Sequence, residues 1–111
     1  KEACFKTAES YRMVNDTKNA EAWYKKAIKA GYKNPEAQFR YAESLKNNQK
    51  YAEAISEFKT YLKTHPNDER ALKMIRGCED ALKWKNEKET LGEIKEIKSK
   101  VLRQRKNNIL N

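Results

Sequence analysis

The sequence predicts an all-α fold, a solenoid of stacked helical hairpins, and three observations predict it. Only three Gly and two Pro interrupt 111 residues, a composition that suits helices and leaves little for the turns of a sheet. The chain also matches itself at an offset of 34 residues, which places Ala3 on Ala37, Phe5 on Phe39, Ala8 on Ala42 and Glu9 on Glu43. The match continues without a gap through Arg12 on Lys46, Ala20 on Ala54, Tyr24 on Phe58 and Ile28 on Leu62. A fixed period of this size marks supersecondary units that bury their apolar faces by stacking. Within each unit the apolar residues recur at spacings of three and four, the period of a helix face.

Each element follows from these patterns. Ala8 and Ala20, then Ala42 and Ala54, let two antiparallel helices approach where a Leu would hold them apart. Tyr11, Tyr24 and Ile28, then Leu45, Phe58 and Leu62, fill the remaining inward positions. Asn15-Asp16 and Asn47-Asn48 supply turn residues that tolerate unusual backbone angles and can cap a following helix. Gly31 and Asn34-Pro35 end the first hairpin and begin the next, with Pro35 at a helix start where its missing N–H costs nothing. His65-Pro66-Asn67-Asp68 does the same after the second. The expected helices lie near 2 to 14, 18 to 30, 35 to 47, 51 to 63 and 67 to 83. Over 84 to 111, Leu91, Ile94, Ile97, Val101 and Leu102 recur at helical spacing, while Gly92 and the dense charge oppose a helix. A helix and an extended linker toward a further domain stay equally open there.

Composition narrows the function classes. There is no run of 18 apolar residues and no secretory leader. The chain begins at Lys1 without a Met and reads as an excised fragment or processed chain. Cys4 and Cys78 form neither a disulfide framework nor a metal-ligand spacing, and buried small apolar residues are their expected role. Of the formal charge of +9, residues 1–82 contribute 16 basic and 12 acidic groups and residues 83–111 nine and four. A mixed-charge body with a basic tail points to a solvated linker rather than to a nucleic-acid site. Trp23 and Trp84 read as packing residues. The single histidine, His65, sits in a turn, and no phosphate-cradling loop, nucleophile motif or metal cluster appears. The expectation is a binding module, not an enzyme, with no cofactor and no metal.

These residues resemble the tetratricopeptide repeat (TPR) family, whose unit carries small residues at positions 8, 20 and 27, aromatics near 11, 17 and 24, and Pro at 32. The resemblance implies a TPR-type right-handed α-solenoid with repeats over 1–34 and 35–66. Residues 67–83 would form a partial third repeat or capping helix, with 84–111 as a basic helical or extended linker. The first unit departs in its Pro, three residues late behind Gly31-Tyr32-Lys33, and the second at Tyr61, where the family prefers Ala. In place of a third full repeat, the terminal helix is expected to cover the last hairpin.

The resemblance further implies that the first helices line a concave groove for a protein partner. The corresponding protein-binding positions are Phe5, Glu9, Arg12, Met13, Phe39, Glu43, Lys46 and Asn47, extended by Arg70 and Lys73, with Glu2 and Glu36 alongside. Phe5 and Phe39 read equally as packing residues. A clamp for the carboxylate of a chaperone tail is not expected, because Phe5, Glu9, Glu43 and Met74 stand where such a clamp places cationic or amide groups.

The runs Tyr11–Asp16, Asn19–Ile28 and Ala30–Ala37 are similar to bacterial envelope proteins in which a TPR array precedes a β-propeller and an OmpA-like peptidoglycan-binding domain. Val101–Asn111 resembles the lead-in to that propeller. This resemblance implies a periplasmic, outer-membrane-associated docking module of an envelope or type IX secretion assembly, touching peptidoglycan only through a downstream domain. Two other readings stand beside it: a basic tail contacting anionic lipid or nucleic acid, and a spacer or self-association module.

Overall fold

A computed structural model of the chain describes the backbone of residues 1–110 and the side chains of residues 1–98 and 100. The described residues form five helices and no strand: α1 (Glu2–Met13), α2 (Thr17–Lys29), α3 (Pro35–Asn47), α4 (Tyr51–Thr64) and α5 (Glu69–Leu110). The fold is an all-α, solenoid-like helical repeat. Residues Lys1–Asp80 make one compact unit, and the chain from Ala81 onward makes a second.

The turns inside the two hairpins are copies of each other. Asn15 and Gln49, 34 positions apart, both adopt left-handed backbone, with φ of 61° and 64°. Between the hairpins the left-handed position falls on Gly31, with φ of 87°, where the absent Cβ removes the steric penalty. Asp16 caps α2 by accepting from the Asn19 backbone N–H at 3.2 Å, and Asn34 caps α3 by accepting from that of Glu36 at 3.0 Å, with Pro35 in the first turn. Asp68 does the same for α5, accepting from the Arg70 N–H at 3.0 Å.

Asn48 differs from the expectation, since α4 starts behind Lys50 without a side-chain cap. Its amide instead donates to the Thr17 carbonyl and to Glu21, both at 3.0 Å. With Lys50 pairing with Glu21 at 2.8 Å, it ties the second hairpin to the start of α2.

Burial follows the small-and-large alternation. Ala8, Ala20, Ala27, Ala37, Ala42, Ala54 and Ala71 are essentially without exposed surface. Around them sit two clusters, one on Tyr24 with Phe5, Tyr11 and Trp23, the other on Phe39, Leu45, Phe58, Tyr61, Ile75 and Cys78. Tyr41 packs against both, so it joins the hairpins into one body. Ala71, Ile75 and Cys78 carry the start of α5 onto the second cluster, where Cys78 is buried and Cys4 half-buried.

No break divides the terminal helix near position 83, since α5 runs on through Leu110. The physical reason is that no Pro occurs after Pro66 and the first Gly beyond position 83 is Gly92, whose cost inside a helix is only about 1 kcal/mol relative to Ala. From Lys83 to Lys98 every side chain is exposed, including Trp84, Leu91, Ile94 and Ile97. Val101, Leu102 and the rest of the lead-in to position 111 lie outside the described side chains.

Phe58 is fully buried and meets Phe39 edge-on at 5.6 Å. Phe58→Ala is expected to lower the unfolding free energy by about 3–5 kcal/mol, measurable from urea midpoints followed by far-UV circular dichroism.

Candidate protein-binding groove

The first helices of the hairpins bring the predicted site residues into a ladder of charges. In α1, Arg12 pairs with Glu9 at 2.7 Å, and the buried Tyr24 of α2 donates its hydroxyl to the same carboxylate. Burial alone would raise Glu9, but the hydrogen bonds from Arg12 and Tyr24 outweigh it and hold the carboxyl below its usual range. The Tyr24 phenol is pushed up by burial first and by Glu9 second. In α3, Arg40 pairs with Glu43 at 3.1 Å and Glu36 at 3.7 Å, and its charge also acts on Glu9 across the hairpins. At the start of α5, Arg70 reaches Glu36 at 2.9 Å and Asp68 at 3.0 Å.

The two repeats hold their groove acids differently, on Arg12 and Tyr24 in the first and on Arg40 in the second. Tyr24 has a hydroxyl for Glu9, whereas its counterpart Phe58 has none, and Glu43 turns to Arg40 instead. Arg40 was not among the residues expected in the groove. Its signal was present in the spacing: an Arg four residues after Glu36 and three before Glu43 faces both acids on one helix surface.

The predicted residues do not share one environment. Phe39 is 1% exposed, packed on Phe58 and Tyr61 and covered by the Arg70 guanidinium 4.2 Å from its ring centre. Of its two readings, packing is the one the structure shows. Phe5 is half-buried, with its ring 5.9 Å from that of Tyr24 and 5.2 Å from that of Tyr32. Met13 is 76% exposed. Lys46 lies against the Met74 sulfur at 3.6 Å and beside Gly77. Asn47 lines a polar cavity of about 600 Å³ with Thr17, Lys18, Glu21 and Lys50. Arg70 and Lys73 are exposed, and Lys73 stands in no ion pair among the described residues.

A second network starts at Tyr61, where the first repeat carries Ala27. The Tyr61 ring stacks on His65 at 4.6 Å, and its hydroxyl donates to Asp68 at 2.6 Å. Hydrogen bonds from Arg70 first, and from Tyr61 next, hold the Asp68 carboxyl far below the usual carboxylate range. No group of three or more metal-ligating side chains occurs among the described residues. No helix is long and apolar enough to cross a membrane among them.

Paired antiparallel helices, repeated at a fixed period and carrying an ordered polar face, define a helical-repeat protein-interaction scaffold. The sequence pattern described as Tetratricopeptide repeat matches residues 12–77, more than half of the chain. The chain belongs to the tetratricopeptide repeat family. No curated protein matches it, and no solved structure does.

The Asp68 shift sets a pH dependence. A carboxyl depressed in the folded state stabilises it above the unfolded value near pH 4, and that contribution is lost as pH falls below it. Urea midpoints of the native chain are expected to drop more steeply between about pH 5 and pH 2.5 than those of Asp68→Asn.

Proposed function

We propose that this chain is a docking module of a bacterial envelope assembly, in which the face formed by α1, α3 and the start of α5 receives a protein partner. The observation that carries the reading is the run of alternating charges Glu9, Arg40, Glu36, Arg70, paired from Arg40 onward, because it presents polar groups already held in place at little further entropic cost. Met13, Lys73 and the half-buried Phe5 lie with it as accessible contacts. Alternating charges along the ladder fit a partner of mixed charge better than an acidic tail.

The envelope setting rests on resemblance. The runs Tyr11–Asp16, Asn19–Ile28 and Ala30–Ala37 are similar to those of PorE, a type IX secretion component of the periplasmic side of the outer membrane. On this reading, the module serves protein transport and reaches peptidoglycan only through a domain downstream of it.

The test is capture from envelope extracts by the native chain beside a Met13→Arg, Lys73→Glu variant, whose changed side chains are exposed and leave the core untouched. Loss of a specific protein from the variant supports the groove. Equal capture by both sinks it.

A self-association reading has its own observation. Trp84, Leu91, Ile94 and Ile97 are 61%, 57%, 43% and 60% exposed on one helix, more apolar surface than a lone solvated helix usually carries. Sedimentation equilibrium over a hundredfold range of concentration separates this: a mass that rises with concentration supports association, and a constant monomer mass removes it.

A further inference from the structure

The loop end of the hairpins carries a cleft unrelated to the groove. It holds about 450 Å³, and Ile28, Tyr32, Lys33, Pro35, Tyr61 and Thr64 are among the residues that line it. That volume lies within the range of ligand-receiving clefts and has room for an aromatic or aliphatic side chain with its backbone. The connection after α2 places its Pro three residues later than the family pattern, behind Gly31-Tyr32-Lys33, and these residues form one wall of the cleft. Gly31 turns the chain and Tyr32 folds back, its N–H donating to the Ala27 carbonyl at 3.0 Å, while its ring contacts Phe5.

The surroundings are basic. Lys25, Lys29, Lys33, Lys59 and Lys63 stand in no ion pair among the described residues, and all five are exposed. Lys29 adjoins Ile28 in sequence, Lys59 adjoins Thr60, and Lys63 adjoins Thr64. No Asp or Glu occurs in 22–35 or in 58–67. The nearest carboxylates are engaged: Gln38 donates to Glu57, and Asp68 is held by Tyr61 and Arg70. Complementing the negative helix C-termini accounts for Lys29 and Lys63, each in a last turn, but not for Lys25, Lys33 or Lys59, which lie beyond the reach of that effect.

We propose that this cleft is a second docking site, for an acidic peptide segment that inserts one aromatic or aliphatic side chain between Tyr32, Pro35 and Tyr61. Its carboxylates meet Lys29, Lys33, Lys59 and Lys63. The chemistry favours a peptide over a membrane because the apolar groups are recessed, and none of the large exposed apolar side chains falls here. It favours a peptide over nucleic acid because the Tyr61 face is already stacked on His65, and the patch contains no Arg for bidentate phosphate contact.

The test is a titration of the isotope-labelled chain, followed by amide chemical shifts, with a peptide of one Phe flanked on each side by two Glu. Saturable shifts at Tyr32, Lys33, Thr60, Thr64 and His65 are expected, with at least about tenfold weaker binding to Lys33→Glu, Lys63→Glu. The peptide with Ala for Phe should also bind more weakly. The control Lys18→Glu, Lys83→Glu changes charge equally, away from the cleft, and should bind like the native chain. Equal weakening by the control, indifference to the Phe, or no saturable shifts at these residues overturns the proposal. So does a tighter response at the same residues to single-stranded RNA or to phosphatidylserine vesicles.

Discussion

The close approach of paired helices at alanine is the constraint on which the structure depends. Where Ala8 meets the face of Ala20, and Ala42 that of Ala54, no side chain beyond a methyl group separates the backbones. Adding volume at such a contact forces strain of about 1–3 kcal/mol. Those contacts fix the depth at which Tyr24 and Phe58 sit and, through them, which surface each first helix presents. The polar ladder is a consequence of that registry: Glu9 and Glu43 stand at equivalent places because the alanines beneath them do.

Tyr61 is the exception that shapes the second hairpin. A family pattern that calls for a small residue receives an aromatic one, and the added ring is accommodated by Phe39 on one side and His65 on the other. Its hydroxyl then finds Asp68, the capping residue of α5, so the departure couples the last hairpin to the helix that covers it. Satisfying the buried phenol and the helix cap with one hydrogen bond avoids leaving either group orphaned. The covering helix is itself adapted to its place. Where earlier repeats carry Ala8 and Ala42, α5 carries Arg76, and where they carry Tyr11 and Leu45 it carries Glu79. That outer face suits water rather than a partner helix.

The helices and the core were legible because they rest on periodicity, and periodicity is a property of the sequence alone. The alanine positions, the turns near Asn15 and Gly31, and the helix start at Pro35 could all be read from local chemistry. What could not be read was the choice between two roles for one aromatic residue. Phe5 and Phe39 occupy equivalent positions, yet Phe39 lies beneath Arg70 of the following α5, whereas the equivalent position in α3, which follows Phe5, is the acid Glu36. That difference comes from neighbours far along the chain. The role of Asn48 was missed for the same reason, because its amide is used by Thr17 and Glu21 of another hairpin. The continuation of α5 beyond position 83 was undetermined by pattern, since a polar helix and a polar linker differ little in composition.

Cys78 gives this architecture a built-in clock. Its thiol is fully buried between α5 and the second hairpin, and burial pushes its ionisation up, so it is protected both sterically and chemically while α5 is docked. Reactive thiolate appears only when the helix lifts away. The rate at which a thiol reagent consumes Cys78 therefore reports how often the end of the array opens, a local event that can be far more frequent than global unfolding.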